Sequence, residues 1–123
     1  MGYETKLIIG KKYIGTDNAF DAHALIKLSS VGEEVGDLIN ILFRKESEKK
    51  YPRTYYYNKQ LKKIKKDECG DELRLVPIQE ILDALITDNS KEPTRRFSKA
   101  ISLVKQFIKE FGEGNTFGIL YGY

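Results

Sequence analysis

A chain of 123 residues and 14.2 kDa has the size of one domain, which excludes an enzyme built from separate cofactor and substrate lobes. Apolar residues make up 41% and charged residues 32%, with a formal charge of +3, so the chain can bury a core under a solvated surface and is neither collagenous nor disordered throughout. No apolar run approaches the roughly 18 residues of a membrane span, and Met1 to Lys12 lacks the apolar stretch of a signal peptide, which predicts a cytoplasmic protein with no membrane partner.

Tyr3 to Ile14 is rich in Tyr, Ile and Thr, with Leu7 to Ile9 at its centre, and predicts a strand bent or bulged at Gly10. Gly15 to Asn18 reads as a turn, and Phe20 to Leu28 as the second arm of an antiparallel hairpin. Ser29 to Asp37, with two glycines and three acids, reads as a loop. Leu38 to Phe43 fits a helical stripe through Val35, Leu38, Ile39 and Leu42, and also fits a short buried strand; the strand is the reading taken.

Composition changes abruptly at Arg44. The 23 residues to Lys66 hold ten Lys or Arg and two Glu, a net of +8 that leaves −5 on the other hundred residues. The protein is an acidic body with one basic arm. Thr54 to Tyr57 is strongly strand-forming, so the arm of residues 44–66 predicts a hairpin with a basic rim. Gly70 centres a turn over Asp67 to Asp71, and Glu72 to Val76 gives a short strand.

Pro77 suits a first helical position, and Ile78, Ile81, Leu82, Leu85 and Ile86 recur at helical spacing, predicting a helix that ends near Asp88. Asn89 to Pro93 connects it to a second helix capped by Thr94, in which Phe97, Ile101, Val104, Ile108 and Phe111 step by four and three. Gly112 ends that helix. Ala100, Leu103 and Phe107 widen the stripe into a face that packs on a sheet rather than a coiled-coil seam. Thr116 to Tyr123 alternates and reads as a last strand in the sheet. The fold class is α+β: residues 1–123 form one domain, a mostly antiparallel sheet covered on one face by a C-terminal helical hairpin, with a final C-terminal strand in the sheet. The other sheet face carries tyrosines and charge, and a partner or second copy over it predicts a homo-oligomer.

Catalytic chemistry has little to stand on. Cys69 is the single cysteine, which excludes an internal disulfide, and Asp67, Glu68, Asp71 and Glu72 surround it in sequence and disfavour a thiolate. Asp21 and the single histidine, His23, lie two apart on one strand, where an acid and base pair can form, but an exposed polar strand face is the reading taken. Gly112 to Gly118 follows a helix and opens a strand, the reverse of a phosphate loop. Gly2 marks no acyl anchor either, because Lys6 stands where a myristoylation motif has Ser or Thr. Nothing in the sequence calls for a cofactor or a metal.

Two constellations suit anion binding. In the arm, Tyr51, Tyr55, Tyr56 and Tyr57 interleave with Lys49, Lys50, Arg53, Lys59, Lys62, Lys63, Lys65 and Lys66, a mixture of cations for phosphate and aromatic faces for bases. A lysine-protected edge strand gives the same composition. At the helical turn, Arg95 and Arg96 fall in the first turn of a helix beside Asn89, where the dipole is positive and an anion is favoured. Either Asp88 or Glu92, or an external phosphate, compensates them.

Met1 to Leu7, Asp88-Asn89, Pro93, Arg95-Arg96-Phe97 and the terminal Leu120-Tyr121-Gly122 resemble small uncharacterised proteins encoded by bacteriophages and prophages. The resemblance covers the two ends, about a third of the chain, and carries over no functional residue. It implies an accessory protein in the host cytoplasm that acts by binding, inhibiting a host factor or sequestering an anionic, nucleotide-like ligand. The contacts expected are Arg95, Arg96, Asn89, Arg53, Tyr55 and Tyr57. The alternatives are sequence-independent nucleic-acid binding through the arm, and a small nuclease or phosphohydrolase built on Asp21 and His23.

Overall fold

The computed structural model describes residues 4–12, 19–29, 36–43, 51–67, 70 and 72–122. The turn read at Gly15 to Asn18, most of the loop before Asp37, the arm up to Lys50, and Cys69 lie outside these residues.

Strands β1 (Thr5–Lys12), β2 (Phe20–Ser29), β5 (Val76–Pro77) and β6 (Thr116–Gly122) form one antiparallel sheet in the order β2-β1-β6-β5. The continuous apolar run Leu7-Ile8-Ile9 marks a strand buried on both faces. Leu7 and Ile9 point to the helical side, whereas Ile8 points to the other, and β6 repeats the division with Leu120 on the first side and Ile119 on the second. Burying each such Leu or Ile stabilises the fold by roughly 1.5–3 kcal/mol.

The bend expected at Gly10 is a β-bulge. Ile9 pairs with Ala24 and Gly10 with Ala22, so His23 is the extra residue on β2. A Cβ on Gly10 would stand 1.9 Å from the Asp21 carbonyl oxygen, and only glycine lets the backbones approach this closely.

Helices α2 (Ile78–Lys91) and α3 (Arg95–Phe111) cover one face as an antiparallel pair. Thr94 caps α3, its hydroxyl accepting from Phe97 N at 3.1 Å. Gly112, at φ +92°, closes the other end by donating to the Ile108 carbonyl at 2.8 Å. Pro77 is the N-cap of α2 rather than its first helical residue, because its ψ of 134° is extended and it still pairs in β5. The helix also runs past Asp88 to Lys91, since Glu92 N continues the ladder onto the Asp88 carbonyl.

Leu38 to Phe43 is a helix, not the expected strand. This element, α1 (Asp37–Phe43), starts where the Asp88 carboxylate accepts from Leu38 N at 3.0 Å and Ile39 N at 2.9 Å. Its apolar residues Leu38, Ile39 and Leu42 pack into the helical side of the core. A cap supplied from a distant helix leaves no local trace in the sequence of α1.

The second sheet face is covered by the chain itself. Leu73 and Leu75 join Ile8, Phe20 and Ile119 there, and Tyr56, Ile64, Phe117 and Tyr121 pack around them. Residues 52–55 cross this side: Leu75 N donates to Pro52 O, Thr54 N to Leu73 O and Phe20 N to Tyr55 O, at 2.8 to 2.9 Å. From Pro52 onward the described arm is thus a third layer opposite the helices, while Tyr51 packs into the helical-side core and donates to Glu80 of α2 at 3.1 Å.

Candidate functional site

Within the arm, β3 (Tyr56–Tyr57) and β4 (Lys63–Ile64) form the expected hairpin, pairing Tyr56 with Ile64 and Tyr57 with Lys63. Alternation along the strand turns Tyr56 and Ile64 toward the sheet and leaves Tyr57 and Lys63 outside. Burial against that cluster pushes the Tyr56 phenol above its ordinary value of 10.0.

Asn58 organises the turn. Its side-chain oxygen accepts from Gln60 N at 2.9 Å and Lys62 N at 3.0 Å, while its main chain bonds Leu61 N and Lys62 O. This closure holds Leu61 at φ +60°, the one non-glycine residue with positive φ among those described. Leu61 is also 81% exposed.

Between Arg53 and Lys66 there are six cations and no acid. Lys59, Lys62, Lys63, Lys65 and Lys66 are all exposed. Arg53, although 74% exposed, is bound through Nε to Glu72 at 2.6 Å, and the same carboxylate oxygen takes Arg74 at 3.1 Å. The Lys63 ammonium sits 4.0 Å from the centre of the Tyr55 ring, and Tyr57 meets that ring edge-on with centroids 5.8 Å apart. One face of Tyr55 is therefore occupied by a cation. Tyr57, 48% exposed, keeps more of its surface in water.

The helical turn is a different place. Asn89 is used internally: its Oδ1 accepts from Thr94 N at 2.9 Å and its Nδ2 lies 3.4 Å from Ser98 Oγ. Asp88, one of the two acids expected to compensate the arginines, is committed to the amides of α1. Arg96 instead lies within electrostatic reach of Glu4, whose carboxyl is held below its ordinary 4.5 first by its hydrogen bond from Lys27 and further by the charges of Lys27, Lys6 and Arg96. Arg95 is exposed.

The two constellations do not merge. Tyr55 bridges Ala19, next to the Phe20 and Lys12 pair, whereas Glu4 adjoins the Thr5 and Ser29 pair at the other end of the ladder. Seven residue steps along β1 separate these ends by about 23 Å, and the β3–β4 hairpin and α3 lie on opposite faces of the sheet.

Asp21 and His23 do come together, with Nε2 and Oδ2 3.1 Å apart. The bulge turns His23 against Phe111, at 5.0 Å between ring centres, and Lys11 reaches over the same ring at 5.2 Å. No group of three or more His, Cys, Asp or Glu among the described residues is arranged to hold a metal ion. No helix among them is long and apolar enough to cross a membrane.

Sequence reasoning points to Arg53, Tyr55 and Tyr57 in the arm and passes over what the turn does with Leu61. Asn58 followed by Lys, Gln and Leu carries no glycine, so no turn signal marks a left-handed position there. The chain matches no protein-family model, no curated protein and no solved structure.

Proposed function

We propose that this chain is a non-enzymatic binding protein that holds nucleic acid independently of sequence, through the lysine-edged hairpin of β3 and β4. One observation carries the reading: Lys59, Lys62, Lys65 and Lys66 are exposed and paired with no carboxylate among the described residues, on a hairpin that contains no acid. Unneutralised lysines in the turn of this hairpin and just beyond its second strand suit a row of phosphates, whose counterions they displace. The resemblance of the chain's ends to small phage proteins, which often act by binding, points the same way. Sequestration of a nucleotide at Arg95 and Arg96 is the less favoured reading, because Asn89 is spent on the helical turn and Arg96 has Glu4 nearby.

The test is fluorescence anisotropy with labelled duplex DNA over a range of salt concentrations. Engagement of these four lysines gives a slope of log affinity against log salt of about −3.6. Reversing Lys59, Lys62, Lys65 and Lys66 to Glu, with the fold checked by circular dichroism, abolishes binding. Binding that ignores salt, or survives the reversal, overturns the proposal.

A further inference from the structure

Leu61 is costly where it stands. A left-handed backbone brings its Cβ against the following carbonyl, which is why glycine or asparagine normally holds such a position. Its side chain also leaves most of its apolar surface in water, 81% exposed, and it gains no packing in return. The geometry is nevertheless fixed by two main-chain and two side-chain hydrogen bonds around Asn58. Lys59 and Lys62 flank it in the same loop. A preorganised apolar side chain between two exposed cations is built to enter something apolar that lies between negative charges.

Stacked bases between two phosphate rows have that arrangement. We infer that Leu61 is a wedge, entering between neighbouring base pairs of a bound duplex while Lys59 and Lys62 hold the phosphates on either side. The inference rests on the proposed function and adds the mode of contact. A two-stranded ribbon, with strands about 5 Å apart, enters a DNA groove, and apolar side chains of groove binders unstack base steps in this way. Pyrimidine–purine steps part most easily, so within a duplex of any sequence the wedge enters at the flexible TA or CA steps. A lipid surface is the lesser match, because the other exposed large apolar residues outside the hairpin, Leu25, Ile41 and Ile86, belong to β2, α1 and α2.

The experiment uses the full chain and a duplex carrying 2-aminopurine at a single TA step. Fluorescence rises when that base loses its stacking neighbour. The wild-type chain raises it on saturation, and Leu61→Met preserves the rise. Leu61→Gly, whose backbone accepts the left-handed turn without strain, abolishes the rise and weakens binding on the order of tenfold. Salt-dependent binding without any rise, or an equal rise with Leu61→Gly, overturns the wedge and leaves the hairpin as a backbone clamp. Binding to anionic vesicles but to no duplex overturns both proposals.

Discussion

The carboxylate of Asp88 accepts the main-chain N–H of Ile39 at 2.9 Å, joining α2 to a helix that begins about fifty positions earlier in the chain. The approach depends on Gly36, where a Cβ would stand 2.4 to 2.6 Å from the Asp88 side chain. Both groups of the hydrogen bond are buried, so α1 owes its start to a residue it cannot recruit locally.

Asp88→Ala strands the amides of Leu38 and Ile39 and costs about 2 kcal/mol of stability, read as a lower urea midpoint. Asp88→Asn retains one acceptor oxygen and costs about half as much. An unchanged midpoint for the alanine variant contradicts the capping role.

Gly10 and Gly118 both admit close neighbours, but of different kinds. A methyl group at Gly10 meets the Asp21 carbonyl, which is backbone, whereas one at Gly118 meets the tip of Ile81 at 2.4 Å, which can rotate away. Gly10→Ala therefore costs about 3 kcal/mol and Gly118→Ala about 1 kcal/mol. Gly114→Ala, with nothing near its Cβ, stays within about 0.5 kcal/mol of the parent and serves as the control.

Tyr56 titrates later in the folded chain than in the unfolded one, because burial disfavours the phenolate. Its contribution is fully present below pH 10.0 and is lost as pH climbs from there through the raised folded value, since the unfolded chain sheds the proton first. Denaturation on either side of this window shows a loss of stability that is smaller in Tyr56→Phe. Parallel declines in the two proteins contradict the assignment.

Leu61→Gly relieves a left-handed backbone at an exposed site and raises stability by about 0.5 kcal/mol, a figure that allows for the extra freedom glycine gains on unfolding. Thermal melts measure it. A variant that is more stable yet binds duplex DNA less tightly separates the fold's interest in residue 61 from that of the binding surface.

Much of this architecture was legible because the signals are local. The four-and-three spacing from Phe97 to Phe111, the hydroxyl of Thr94 and the stop at Gly112 each act within a few residues, and α3 follows them. α1 was not legible, since its cap is the distant Asp88, and a short apolar stretch broken only by Asn40 satisfies either period. The docking of the arm on the second sheet face was likewise hidden, although the run Tyr55-Tyr56-Tyr57 contains its logic: a strand sends alternate tyrosines inward and outward. At the candidate site, the cations were visible as composition. Which of them the chain neutralises was not, because Glu72 meets Arg53 only after residues 52–54 pair with 73–75.

The central pair of the sheet joins Thr5 to Gly122 and Lys11 to Thr116, so the inner strands come from opposite ends of the described chain. During synthesis, Leu7, Ile8 and Ile9 emerge ahead of the arm and all three helices, and their partner β6 follows these. Until then β1 has β2 on one edge and a bare edge on the other, the state in which strands adhere to strangers. Such long-range pairing makes folding slow for a chain of this size. Slow translation or a shortfall of chaperones should therefore show itself in lower soluble yield, and circular permutants that link β6 directly to β1 should recover it.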